Sequence, residues 1–188
     1  MYISHAVSRS GDLNRYGHDF SEFLSDYAPA QSLPYLPDVA RLEWLSTQVY
    51  TAKDTPTQNV SCLIETPPAQ WGMLSFTLDP AHAILASSWP LARIWEVNQP
   101  GYTGDFSVDL SPIPREFLIH RTEQGIAVSQ IKIGDAVLLR ALATARSLDD
   151  ALIQALEADA LFDLTASLHL LIAHGLLRYA YRTQGNAP

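Results

Sequence analysis

The chain has 188 residues and a mass of 20.8 kDa, enough for one substantial domain or two small ones. Apolar residues make up 47% and charged residues 17%, which excludes a disordered chain and allows a sizeable core. Twelve Lys and Arg against twenty Asp and Glu leave a net charge of −8. That balance argues against general affinity for nucleic acid or anionic membrane, though a local basic patch stays open. Cys62 is the only cysteine, so an intrachain disulfide and a cysteine-based zinc cluster are both excluded. No apolar run is long enough to span a bilayer, and residues 1–5 lack the basic and apolar regions of a secretory signal. The expectation is a cytoplasmic protein without a membrane span.

In chain order, Asp19 is placed to cap a short helix whose Phe20, Phe23, Leu24 and Tyr27 follow i, i+3, i+4, i+7 spacing, ended by Pro29. A second helix is predicted from Pro37, a good first-turn residue, with Asp38 at the positive end of the helix dipole. It runs to about Lys53, with Leu42, Leu45 and Val49 on one stripe. Leu74, Phe76 and Leu78 alternate as a strand up to the Asp79-Pro80 stop, and His82, Ile84 and Ala86 alternate again. Ser88-Trp89-Pro90 opens a short helix through Trp95 and Val97. Residues 98–114 hold three prolines and two glycines with little periodicity, so they read as a loop and as the preferred domain boundary.

Beyond Arg115 the signals sharpen. Residues 117–121 and 126–131 are β-like runs joined across a turn that ends at Gly125. Asp135 is placed to cap a helix carrying Val137, Leu138 and Ala141, and Ser147 opens another, with Asp150 three residues on as a variant capping box. Asp163 caps a third helix with Leu164, Leu168, Leu170 and Leu171, and Gly175 is its C-terminal stop. A last strand covers 177–183. The fold class expected is α+β, in three segments: a helical part at 1–54, a Pro-rich connecting region with short strands at 55–114, and a winged-helix-like module with a small antiparallel sheet at 115–188.

The stretch Ser8-Arg-Ser-Gly-Asp-Leu-Asn-Arg-Tyr-Gly17, followed by Phe23-Leu24 and by Leu33-Pro-Tyr-Leu-Pro-Asp-Val-Ala-Arg-Leu-Glu-Trp44, resembles the HvfC/BufC family. Pro34, Tyr35, Leu36, Pro37, Asp38, Arg41, Glu43 and Trp44 form its most specific part. Ser88-Trp-Pro, Ile94-Trp95, Phe117-Leu118 and the run from Gly134 to Leu142 are weaker matches, and together they cover nearly the whole chain. The family carries a DNA-binding-domain label. The resemblance implies an α-helical N-terminal region followed by an α/β module, and a non-enzymatic role without metal or cofactor. The implied partner is a TIM-barrel enzyme with a multinuclear iron site. Such enzymes convert cysteines of a ribosomal precursor peptide into metal-binding heterocycles or thioamides, as for methanobactins and bufferins. Family members carry several further helices before the Ser8–Gly17 segment, so the resemblance implies an N-terminally shortened member.

The residues themselves offer few signs of chemistry. Among His5, His18, His82, His120, His169 and His174 there is no HExxH. His169 and His174, five apart, diverge by about 140° on a helix. His174 at a helix end suits the dipole. Asp149 and Asp150 in the turn after Ser147 are explained by capping. No GxSxG, GxGxxG or Walker sequence is present. Cys62, in Val-Ser-Cys-Leu-Ile, has no cationic neighbour and reads as a small buried hydrophobe. Trp44, Trp71, Trp89 and Trp95 are expected to pack in the core, with Trp89 the one placed for exposure. Arg41, Glu43 and Trp44 have two readings, a structural pin or a face toward an enzyme.

Two functional classes follow. A winged helix that reads DNA needs basic groups on its recognition helix. Residues 133–174 carry two arginines against six carboxylates, and 164–174 carry no Lys or Arg, which argues against the DNA-binding regulator. The same scaffold can hold an extended peptide along a strand edge, as leader-peptide recognition modules do. Arg178, Tyr179, Tyr181 and Arg182 on the last strand, together with Leu168, are the candidate contacts. Because Tyr179 and Tyr181 alternate with the two arginines, the favoured alternative has the tyrosines covering the sheet's inner face and the arginines outside. The partners that the resemblance implies are the iron enzyme and its Cys-containing precursor peptide.

Overall fold

The computed structural model describes residues 17–55, 61–144 and 146–182, with the side chains of Cys62, Tyr179, Ala180 and Arg182 outside the described set. The fold is α+β: helices α1 (Phe20–Asp26), α2 (Leu36–Thr51), α3 (Ser61–Glu65), α4 (Leu91–Val97), α5 (Ile133–Ala143), α6 (Leu148–Ala158) and α7 (Leu164–Ala173) accompany strands β1 (Leu74–Leu78), β2 (His82–Ser87), β3 (Arg115–Thr122), β4 (Gly125–Ile131) and β5 (Leu177–Arg182). Short 3-10 turns cover Ala28–Ala30 and Pro68–Met73.

Two compact units divide the described chain, and each is assembled from two stretches of sequence. The first takes the residues up to Ala52 and Leu85–Gln130; the second takes Lys53–Ile84 and the residues from Ile131. This differs from the three consecutive segments expected. The β3–β4 hairpin sits with α2 in the first unit, not with the three helices that follow it. The loop at 98–114 lies inside that unit instead of ending it.

In the first unit α1 packs on α2, and α2 packs on β3 and α4. The sheet has the order β2-β3-β4. Phe117, Leu118 and Ile119 on β3 are buried with Leu42 and Val49 of α2 and Leu91 of α4. Ser46, not Leu45, completes the buried stripe of α2. Along β2 the buried positions are Leu85 and Ser87, the face opposite to His82, Ile84 and Ala86. The hairpin closes over Glu123 and Gln124, with Gly125 at φ +121° where side-chain-bearing residues are strained.

In the second unit α5 packs on α6, both pack on β1, and β1 pairs antiparallel with β5. Ser147 caps α6 as expected, accepting from the Asp150 N–H at 3.2 Å and donating to its carboxylate at 2.7 Å. Asp163 caps α7 through the Ala166 N–H at 3.0 Å. Gly175, at φ +66°, ends α7, with its own N–H on the Ile172 carbonyl and the Leu176 N–H on the Leu171 carbonyl. Two expected caps are corrected. Asp135 lies in the first turn of α5, after Ile133 and Gly134, and Asp19 makes no side-chain cap bond at α1. Their carboxylates still sit at the helix end where the dipole favours negative charge.

Candidate functional site

The family-like motifs meet in the first unit. Asp38 accepts a hydrogen bond from the Ser87 hydroxyl at 2.5 Å, and that hydroxyl accepts from the Trp89 N–H at 3.0 Å. Tyr35 stands edge-on to Trp89, ring centroids 6.3 Å apart. Pro37, in the first turn of α2, offers its carbonyl to Ser21 of α1 at 2.8 Å. Arg41 lies 5.6 Å from the Trp44 ring centroid, and the His18 ring meets the same ring at a 56° tilt with centroids 4.9 Å apart. Leu36 is half-buried, whereas Pro34 and Glu43 are exposed. This region therefore acts largely as a joint that ties α1, α2 and the segment opening α4. Trp44, Trp71, Trp89 and Trp95 are all half-buried, not core residues. Flat rings at the margins of small cores keep one face in solvent, and Trp71 uses its indole N–H on the carbonyls of Thr66 at 2.8 Å and Leu63 at 3.2 Å.

Among the described side chains expected as contacts, Leu168 and Arg178 are engaged within the second unit and Tyr181 is exposed. Leu168 is buried at 3% exposure and is out of reach of a partner. Arg178 is bound within the second unit. The β1–β5 register runs Thr77 to Tyr179 and then Leu78 to Leu177, so Arg178 is the extra residue of a bulge. A bulge re-aims a side chain. Here it sends the guanidinium to the Asp79 carboxylate, with Nε 2.5 Å from Oδ2 and Nη2 on the same oxygen. Asp79 also accepts from the Ala81 N–H at 2.7 Å and the Thr55 hydroxyl at 3.1 Å. Burial, the largest single influence, pushes the Asp79 carboxyl up. The Ala81 N–H, Arg178 and Thr55 together outweigh it and hold the carboxyl below its usual range. Tyr181 is 43% exposed, against the expectation that it faces inward. The side chains of Tyr179 and Arg182 lie outside the described residues.

A different surface has the shape of a binding site. Helix α4 and strand β4 flank a groove of about 550 Å³. Its apolar walls come from Pro90, Ala92 and Trp95 on one side and Ile126, Ala127 and Val128 on the other, with Phe117 at its base. Arg93, Glu96, Gln99 and Gln130 supply the polar rim. Strand β4 ends the sheet order, so among the described residues its outer main chain has no strand partner. The sequence hinted at this only through the β-like run 126–131 and the helix after Pro90. Nothing local shows that residues thirty apart form two walls.

Among the described residues no three His, Cys, Asp or Glu side chains gather as a metal site, and no helix is long and apolar enough to cross a membrane. His120 is buried in β3 and His82 bonds the Asp79 carbonyl. His169 lies on α7 and His174 caps its end. His5 and the Ser8–Tyr16 part of the family-like motif lie outside the described residues. No protein-family model matches the chain, and no curated protein matches it significantly.

Proposed function

We propose that this chain is a non-catalytic partner protein that holds an extended segment of a Cys-containing precursor peptide while a multinuclear iron enzyme modifies it. The groove between α4 and β4, a strand whose outer edge has no strand partner among the described residues, carries the peptide-binding half of this reading. A strand edge supplies main-chain hydrogen bonds to any extended peptide, and the apolar walls select alternate side chains. The resemblance of residues 34–44 to the HvfC/BufC family supplies the class of enzyme. The DNA-binding regulator is the weaker reading, because α7 carries no Lys or Arg to neutralise phosphate.

The test is a fluorescence titration of a labelled candidate precursor. Ala92→Phe fills the groove from α4, and Val128→Glu places a charge on its β4 wall. Each should weaken binding at least about tenfold, or about 1.4 kcal/mol, while Tyr181→Ala leaves it unchanged. Wild-type affinity in folded Ala92→Phe and Val128→Glu proteins refutes the groove. A low-salt gel shift that fades with added salt would favour the DNA reading instead.

A further inference from the structure

The loop at 98–114 presents apolar side chains to solvent on a fixed frame. Arg93 of α4 donates to the Tyr102 hydroxyl at 2.9 Å, to the Ser107 carbonyl at 3.2 Å and to the Asp105 carbonyl. Its guanidinium lies 5.6 Å from the Tyr102 ring centroid, and the Tyr102 hydroxyl donates to the Asp105 carbonyl at 3.0 Å. A Cβ on Gly104 would fall 2.5 Å from that hydroxyl oxygen, so the ring lies directly on the backbone. At the other end the Ile113 N–H donates to the Ser88 carbonyl at 2.8 Å, and Arg115 donates to the carbonyls of Ser88 and Ile113 at 2.8 and 2.9 Å.

Between these anchors the sequence repeats an Asp-apolar-Ser unit, Asp105-Phe106-Ser107 and Asp109-Leu110-Ser111. In each unit the carboxylate accepts the serine N–H at 2.9 Å and the serine hydroxyl, closing an Asx turn around the apolar residue. Phe106 is 62% exposed, Leu110 40% and Ile113 54%. Phe106 stands edge-on to Tyr102 with ring centroids 5.2 Å apart, so it is held in place, yet most of it faces water. Three large apolar side chains displayed on one hydrogen-bonded strap mark an interaction surface.

We propose that this strap docks into an apolar cleft rimmed by Lys and Arg on the enzyme partner. The charge pattern selects that occupant. Residues 94–114 contain Glu96, Asp105 and Asp109 and no Lys or Arg. Arg93 pairs with Glu96 at 2.9 Å as well as donating to backbone carbonyls, and Arg115 donates to backbone carbonyls, which leaves Asp105 and Asp109 as the carboxylates the strap presents. An anionic lipid surface or nucleic acid is repelled by such a strap, whereas a cation-rimmed protein cleft is attracted and approached faster at low salt. Ordered turns lower the conformational cost of docking. The inference rests on the partner-protein reading above and adds the surface that meets the enzyme.

The experiment is a calorimetric titration of the full chain with the purified iron enzyme at about 50 mM and about 500 mM salt, a range over which surface charges become screened. Wild type should bind, and more tightly at low salt. Phe106→Ser combined with Leu110→Ser should keep the unfolding midpoint and lose at least about tenfold in affinity. Asp105→Asn combined with Asp109→Asn should flatten the salt dependence. Hydrogen exchange at 104–113 should slow in the wild-type complex, which reads the contact without any substitution. A folded double-serine variant that binds as well as wild type, or unchanged exchange at 104–113, overturns the strap and leaves the peptide groove standing. Absence of any wild-type complex overturns the strap and the enzyme-partner reading together, while the peptide titration still reports on the groove.

Discussion

Asp79 shows how much one residue decides in the second unit. Its side chain is 6% exposed and that of Arg178 is 23% exposed, so removing either partner strands a mostly desolvated charge. Arg178→Ala should cost about 3 kcal/mol, the lower end for buried pairs because Arg178 keeps some water contact. The folded-state carboxyl titrates below its usual range. Its contribution is therefore complete above the unfolded-state pKa of about 4 and is lost as pH falls through the lower folded-state value. Urea unfolding from neutral pH to about pH 3 reads this directly. Asp79→Asn should be less stable at neutral pH and show a shallower acid slope; equal slopes would remove Asp79 as the titrating group. Trp44 poses the opposite case. Its indole nitrogen is buried with no acceptor among the described residues, so Trp44→Phe should stay within about 1 kcal/mol of wild type. Trp44→Ala should cost about 2 kcal/mol, less than a fully buried tryptophan, because His18 and Arg41 cover only part of the ring. Thermal unfolding midpoints separate the two.

At the level of elements, local signals set where helices begin and end, and packing sets what they tolerate. Ser147→Ala removes an observed cap and should cost about 1 kcal/mol. Gly134, in the first turn of α5, is where propensity and packing disagree. Helix propensity alone favours Gly134→Ala by up to about 1 kcal/mol. A Cβ there would fall 2.5 Å from the Phe162 ring and 3.2 Å from Asp159 Cβ. Overpacking of that kind typically costs about 1–3 kcal/mol, so the net expectation is destabilisation. A raised unfolding midpoint for Gly134→Ala would mean that the Phe162 ring swings away freely.

For the whole molecule, the interleaved units make a deletion prediction. Residues 115–188 look self-sufficient as a run of strands and helices. The strand that pairs with β5, and that packs against α5 and α6, is β1 at Leu74–Leu78. A 115–188 fragment should therefore lack a fixed tertiary structure, with collapsed amide dispersion and a lost near-ultraviolet signal beside residual helical circular dichroism. A cooperative unfolding transition in that fragment would restore the contiguous winged-helix-like module.

The sequence by itself determined the features that depend on neighbours along the chain. The Ser147 and Asp163 caps, the Gly175 stop and the β3–β4 hairpin all follow from residues within one or two turns of each other. Period-two alternation likewise marked β1 and β2, although it left open which face of β2 is buried. Choosing that face requires knowing what packs on each side. Tertiary structure alone decided that β5 pairs with β1, because several short strands offered equivalent edges and local pattern does not rank partners distant in sequence. The same limit hid the use of Arg178, since a one-residue bulge turned a side chain that alternation assigned to the surface onto Asp79. It also hid the groove, whose two walls become a site only when α4 and β4 lie side by side.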